Sequence, residues 1–238
     1  MKKRGQVTLF IVIAISIVIA GLIGWFVYRS HSRTKTLSEE IALAKNFLQE
    51  RLAYEVDGAL LLLGLQGGYS EKSEKFLQMQ FHFIPYYYYN KKVIVPSSNR
   101  VKEEIKKEIT ERILAIESNF SRFELQVSDP KIELNNLIKV AIPVKMKKGE
   151  EQTLFEVYYE RKNIDFDKML NISKTIAENV RADPGKINLE LLLNLQKNHS
   201  IIISPLIFDE NTIIYRIADN STMIDNRIWE FYFAVENE

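Results

Sequence analysis

The run Val7–Tyr28 (VTLFIVIAISIVIAGLIGWFVY) constrains this chain more than any other feature. It carries no charge, and Thr8 and Ser16 are its only polar side chains before Tyr28. A helix rises about 1.5 Å per residue, so about 22 such residues cover a hydrocarbon core of about 30 Å. The sequence therefore predicts a membrane anchor, with everything after it displayed on one side of the bilayer. A cleavable secretory signal has an apolar stretch of about 7–15 residues and a polar cleavage region. Here the run is longer and ends in Trp25-Phe26-Val27-Tyr28 and then Arg29, the aromatic-then-basic order of a membrane interface. The expected partition is a basic stub at 1–5, a transmembrane helix at 6–28, a juxtamembrane segment at 29–37 and an extracytoplasmic domain at 38–238, with a weak subdivision near Asn163. The lipid bilayer is thus the first expected partner.

Charge alone does not orient the anchor. Lys2, Lys3 and Arg4 flank one end, and Arg29, Arg33 and Lys35 the other. The string Lys2-Lys3-Arg4-Gly5-Gln6, directly abutting the apolar helix, resembles the class III signal of archaeal type IV pilins and related surface proteins. The resemblance covers the stub and the helix only. It implies a prepilin-type peptidase as a partner, cutting between Gly5 and Gln6 on the cytoplasmic face. The N-terminus would then lie inside and the C-terminal domain outside the cell. Many pilins carry Glu at the fifth mature position; this chain has Phe10 there, which counts against filament assembly. The run Ala59–Tyr69 (ALLLLGLQGGY), with Tyr86–Tyr89 and Asn90, resembles uncharacterised single-pass surface proteins of small-genome archaea, a likeness that implies no activity.

Beyond Tyr28 the chain holds all 31 Asp and Glu and 29 of the 32 Lys and Arg, a net charge of −2. That balance offers no basic excess for nucleic acid. Cysteine is absent, so no disulfide framework, thiolate metal site or thiol nucleophile exists. Four N-x-S/T sequons, at Asn119, Asn171, Asn198 and Asn220, are candidate glycosylation sites on an exported surface.

The fold class expected is α+β with mainly antiparallel sheet. Thr36 and Glu39 fit a capping box. From there Leu37, Ile41, Ala44, Leu48, Leu52, Val56, Ala59 and Leu63 recur at helical spacing, and Gly64, Gly67 and Gly68 end the helix. Arg29–Lys35 reads as a linker or as more helix. Phe81–Val95 reads as a hairpin around Asn90-Lys91-Lys92, with Pro85 and Pro96 marking edge positions. Ser97 or Ser98 caps a helix with the stripe Val101, Ile105, Ile109, Ile113, Ile116 and Phe120. Phe123–Val127 is a strand, Leu137–Met146 and Thr153–Tyr159 a second hairpin, and Phe166–Val180 a helix. Leu189–Leu195 is a helix or strand. Ile201–Ile207, Thr212–Ile217 and Ile228–Val235 are strands. Strands and helices in this irregular order point to α+β rather than to repeated β-α-β units.

Chemistry is sparse. Strings of the G-x-S-x-G, G-x-G-x-x-G, Walker A and H-E-x-x-H types are missing. His31, His82 and His199 lie in separate segments without metal-ligand spacing, so neither a metal nor a cofactor is expected, and the domain reads as non-catalytic. Tyr86, Tyr87, Tyr88 and Tyr89 form a candidate interaction surface. Strand alternation puts Tyr86 and Tyr88 on one face and Tyr87 and Tyr89 on the other, so one pair is expected in the core and one outside. In the anchor Ser16, Ala20 and Gly24 are spaced by four and permit close helix–helix packing in lipid, with a second copy or an envelope protein. Three readings stand: an anchored cell-surface protein with a binding or structural domain, a pilin-like subunit or minor component of a type IV filament, and an anchored hydrolase working through carboxylates.

Overall fold

The computed structural model describes the backbone of residues 3–116, 119–120, 123–135, 137–148, 151–162 and 164–236. Side chains are described for the same residues less 3–15, 29–38, 119–120, 123, 148 and 151. The chain divides into two compact units, Met1–Leu48 and Gln49–Glu238.

The first unit is helical, as the leading part of α1 (Lys3–Leu65). Arg29–Lys35 is helix and not a linker. Thr36 lies inside α1 and not at a helix start, because Arg29–Lys35 just before it holds neither Gly nor Pro to break the hydrogen-bond ladder. Among the described residues no helix is long and apolar enough to cross a membrane. The expected span Val7–Tyr28 has described side chains only from Ser16 onward.

The second unit is α+β with mainly antiparallel sheet, as the pattern of short strands and amphipathic helices predicts. Its elements are the end of α1, β1 (Phe76–Gln78), β2 (Phe83–Tyr89), β3 (Lys92–Val93), α2 (Ser98–Leu114), β4 (Asn119–Phe120), β5 (Phe123–Val127), β6 (Lys131–Leu134), β7 (Leu137–Lys148), β8 (Glu151–Lys162), α3 (Phe166–Ala182), α4 (Leu189–His199), β9 (Ile201–Asp209), β10 (Thr212–Ile224) and β11 (Arg227–Glu236). The main sheet has the order β1-β2-β11-β10-β9, with β3 also on β2. All its pairings are antiparallel except β2 with β11. Strands β4 to β8 form a second sheet, nested in the sequence between α2 and α3. In it β7 pairs with β8 along its whole length and with β5 and β6 on its other edge. Asn163, where a subdivision was expected, falls outside the described residues.

Local chemistry sets the boundaries. The end of α1 is a Schellman cap: Gly68 N–H donates to Leu63 O (2.6 Å) and Gly67 N–H to Gly64 O (3.2 Å), with Gly67 at φ 53°. Ser97 caps α2 by accepting from Arg100 N–H at 3.3 Å. The hairpins β2–β3 and β10–β11 turn on Asn90-Lys91 and Asp225-Asn226, all four at positive φ, as the tightest hairpin turns require. Helix α3 buries Met169, Leu170, Ile172, Ile176, Ala177 and Val180, and it packs against β2, β3, β11 and α2. The core face of the main sheet is aromatic. Tyr87 and Tyr215 stack on Phe233 at 5.0 and 5.4 Å, and Phe166 meets Trp229 edge-on at 5.1 Å.

Candidate interaction surface

The tyrosine run lies on β2, and a register shift decides where each ring goes. Tyr86 pairs with Ala234 and Tyr88 with Val235, so two steps on β2 match one on β11. Such a bulge resets the in–out alternation. Tyr87 and Tyr88 are both buried, a correction to the expected split into one core pair and one outer pair that removes these two from any surface. The Tyr87 hydroxyl donates to Gly67 O at 2.7 Å, tying β2 to the cap of α1, and burial pushes its pKa well up.

Tyr86 and Tyr89 remain half-buried on the other face, their rings edge-to-face at 5.3 Å. The Tyr86 and Thr212 hydroxyls lie 3.1 Å apart, and Lys75 Nζ sits 5.1 Å over the Tyr89 ring. The same face carries the apolar cluster Ile84, Ile214 and Ala234, with Leu77, Met79, Tyr86 and Tyr232 packed against it. Next to it Tyr232 donates to Glu230 Oε2 at 2.6 Å, and Glu230 accepts from Arg216 Nε at 2.8 Å. Burial, and then the hydrogen bond to Glu230, push the Tyr232 hydroxyl up to about 12. The result is an aromatic patch with hydroxyl, ammonium and guanidinium edges. It suits a partner surface or a sugar ring. Tyr232 and Lys75 escaped sequence reasoning because β11 and the segment before β1 reach this face only through long-range pairing.

Acidic residues that are buried have structural partners. Glu108 accepts from Arg112 Nε at 2.6 Å, and Glu55 pairs with Arg51 at 2.6 Å and Arg112 at 3.6 Å. Gly58 leaves room for that guanidinium, since a Cβ there would stand 3.0 Å from Arg112 Nη1. Asp57 pairs with Arg161 of β8, whose pKa burial lowers. Among the described residues no group of His, Cys, Asp and Glu is placed to hold a metal. His82 is half-buried, and burial lowers its pKa.

Two adjoining clefts lie where α2 and α3 begin. One, of about 540 Å³, is lined by residues including Ser98, Lys102, Lys162, Asp165, Phe166 and Asp167; the other, of about 420 Å³, shares Ser98 and Asp167 and adds Asn171 and Lys174. Asp165 is committed to capping α3 through Lys168 N–H at 2.9 Å.

In the first unit Ser16, Ala20 and Gly24 are exposed, and a Cβ on Gly21 or Gly24 would meet nothing within 4 Å. Gly5 and Gln6 lie outside the described side chains, as does Asn119; Asn171, Asn198 and Asn220 are exposed. Compared with protein-family models, curated proteins and solved structures, the chain matches none.

Proposed function

We propose that this is a single-pass, membrane-anchored cell-surface protein whose α+β domain acts by binding, through the aromatic face around Tyr86, Tyr89 and Tyr232, and not by catalysis. One observation carries the anchoring. From Ile17 to Tyr28 every large apolar side chain is 51–75% exposed, on all sides of the helix. A helix apolar all round fits lipid or a bundle of its own kind, since exposed apolar area costs about 25 cal/mol per Å² in water. The class III resemblance adds orientation: N-terminus inside, domain outside, with the cut after Gly5.

The cysteine-free sequence makes a clean test. Glu178→Cys, on the exposed side of α3, is the single thiol in the variant chain. In intact cells a membrane-impermeant maleimide is expected to label it without lysis. Labelling only after lysis sinks the outside placement. N-terminal sequencing of the membrane-purified chain reads the cut; a first residue other than Gln6 removes the class III reading.

The continuity of α1 through Arg29–Lys35 favours one second reading, a pilin-like subunit packing through Ser16, Ala20 and Gly24. Gly24→Ile is expected to lower filament content of cells in that case; unchanged filaments, or none in the wild type, count against it.

A further inference from the structure

We propose that Asn198 and Asn220 are a pair of N-glycan acceptors on one rim of the main sheet, and that Asn171 is not an acceptor. This rests on the cell-surface reading. In the transfer the Asn carboxamide Nδ2 attacks C1 of an oligosaccharide carried on a polyprenyl phosphate. The N–C bond forms as the C1–O bond to phosphate breaks. The phosphate leaves with the electron pair, and the amide nitrogen gives its proton to a base. The asparagine and the hydroxyl two residues on must both be reachable.

Asn198 meets both conditions. It is exposed in the last turn of α4, and Ser200 is exposed as the left-handed cap (φ 54°, ψ 45°) that turns the chain into β9. Asn220 meets them differently. It is exposed where the β10–β11 register breaks between Asp219 and Met223. The Asp219 carboxylate accepts from Ser221 N–H (3.1 Å), Ser221 Oγ (2.7 Å) and Thr222 Oγ1 (3.0 Å), which holds this segment out of the ladder. Thr222 is half-buried, and because it spends its proton on Asp219 its oxygen keeps lone pairs with which to accept.

The register joins the two. Asp219 pairs with Ile201, the first residue of β9, so Asn220 and Ser200 each lie one residue beyond that last pair. On the same rim Met223 and Ile228, register partners, are exposed apolar side chains that a glycan on Asn220 would cover. Asn171 fails the second condition: it sits mid-way along α3, and Ser173 is 0% exposed, so its hydroxyl is sealed in the core.

Peptide mass mapping of the full chain from native membranes tests this, on the wild type and on Asn171→Gln, Asn198→Gln and Asn220→Gln, with the Glu178→Cys labelling run in the same cells. The expected result is one glycan on each of the Asn198 and Asn220 peptides, lost singly in the matching variant, and no glycan mass on the peptide at 171 in the wild type or in Asn171→Gln. A glycan on Asn171, or only one occupied site of the pair, overturns the assignment. Bare peptides from cells that label at Glu178→Cys overturn the glycans and leave the surface reading standing. Bare peptides from cells that do not label overturn both.

Discussion

Gly64 is a glycine because α1 and β11 touch there. A Cβ would lie 2.2 Å from Glu230 O and 2.8 Å from Trp229 Nε1, and that indole donates to Leu60 O at 3.0 Å. Backbone stands on both sides, so Gly64→Ala has to push the helix off the strand. The expected cost is about 1–3 kcal/mol or more, read as a lower urea midpoint at unchanged m value; an unaltered midpoint contradicts the close approach. Asp219 makes a prediction in pH. Burial pushes its carboxyl up, but hydrogen bonds from Ser221 and Thr222 and the Lys168 ammonium at 3.2 Å outweigh it and hold the pKa below the ordinary value. The folded chain therefore binds this proton more weakly than the unfolded one. The stabilisation is complete above the unfolded pKa of about 4 and is lost as pH falls through the lower folded value. The gap in Tm between wild type and Asp219→Asn should hold steady from neutral pH to about 5 and then narrow toward pH 3. A gap that widens in acid removes Asp219 from this role. Sequence alone showed four tyrosines in a strand and could not show that Tyr87 and Tyr88 are both buried beside a bulge, because the bulge is a property of the pairing with Ala234 and Val235.

The elements most legible in the sequence are those whose signal is local. Ser97 and the stripe from Val101 mark α2, although the stripe as read ran on to Ile116 and Phe120 and the helix ends at Leu114; the apolar spacing of Phe166–Val180 marks α3, and strand runs separated by turn residues mark β9, β10 and β11. Thr36 misled because a capping motif also fits inside a longer helix when nothing interrupts the ladder before it. The parallel β2–β11 pair and the separation into two sheets were not legible, since they join residues as far apart as Tyr86 and Ala234. Edge protection of β9 was hidden for the same reason. As the end strand of the main sheet, β9 has a free side. There Gln196 Oε1 of α4 accepts from Ile203 N–H at 3.0 Å, and Pro205, two residues on, has no N–H to offer. Both devices blunt an edge that would otherwise recruit another strand. Gln196→Ala should therefore raise concentration-dependent self-association, seen by sedimentation velocity, while Gln196→Glu, which retains an acceptor, should not. Equal behaviour of the two variants rules out this protection.

At the scale of the whole molecule, two stretches of the chain differ in what their apolar side chains meet. Residues 49–238 follow the rules of water: apolar side chains such as Leu52, Val56, Phe231 and Phe233 are inside, and buried carboxylates are paired. Ser16–Tyr28 inverts them, with Ile17, Leu22, Trp25 and Phe26 all more than half exposed. A single helix cannot bury residues on every side of itself, and under the proposed anchoring a bilayer is the neighbour that covers them. The prediction follows from the energetics of that environment. Arg in the middle of a transmembrane helix costs about 2.5–3.5 kcal/mol of insertion, whereas exchange among aliphatic residues costs little. Val18→Arg should shift the protein from the alkaline-carbonate pellet toward the supernatant, and Val18→Leu should leave it in the pellet. The folded domain should be untouched in both variants, with the same near-UV circular dichroism and Tm, because Val18 is an exposed residue far along the chain from the first core residue, Ala44. Wild-type protein already in the carbonate supernatant would end the anchor reading, and extraction of both variants would show that packing, and not lipid, holds this helix.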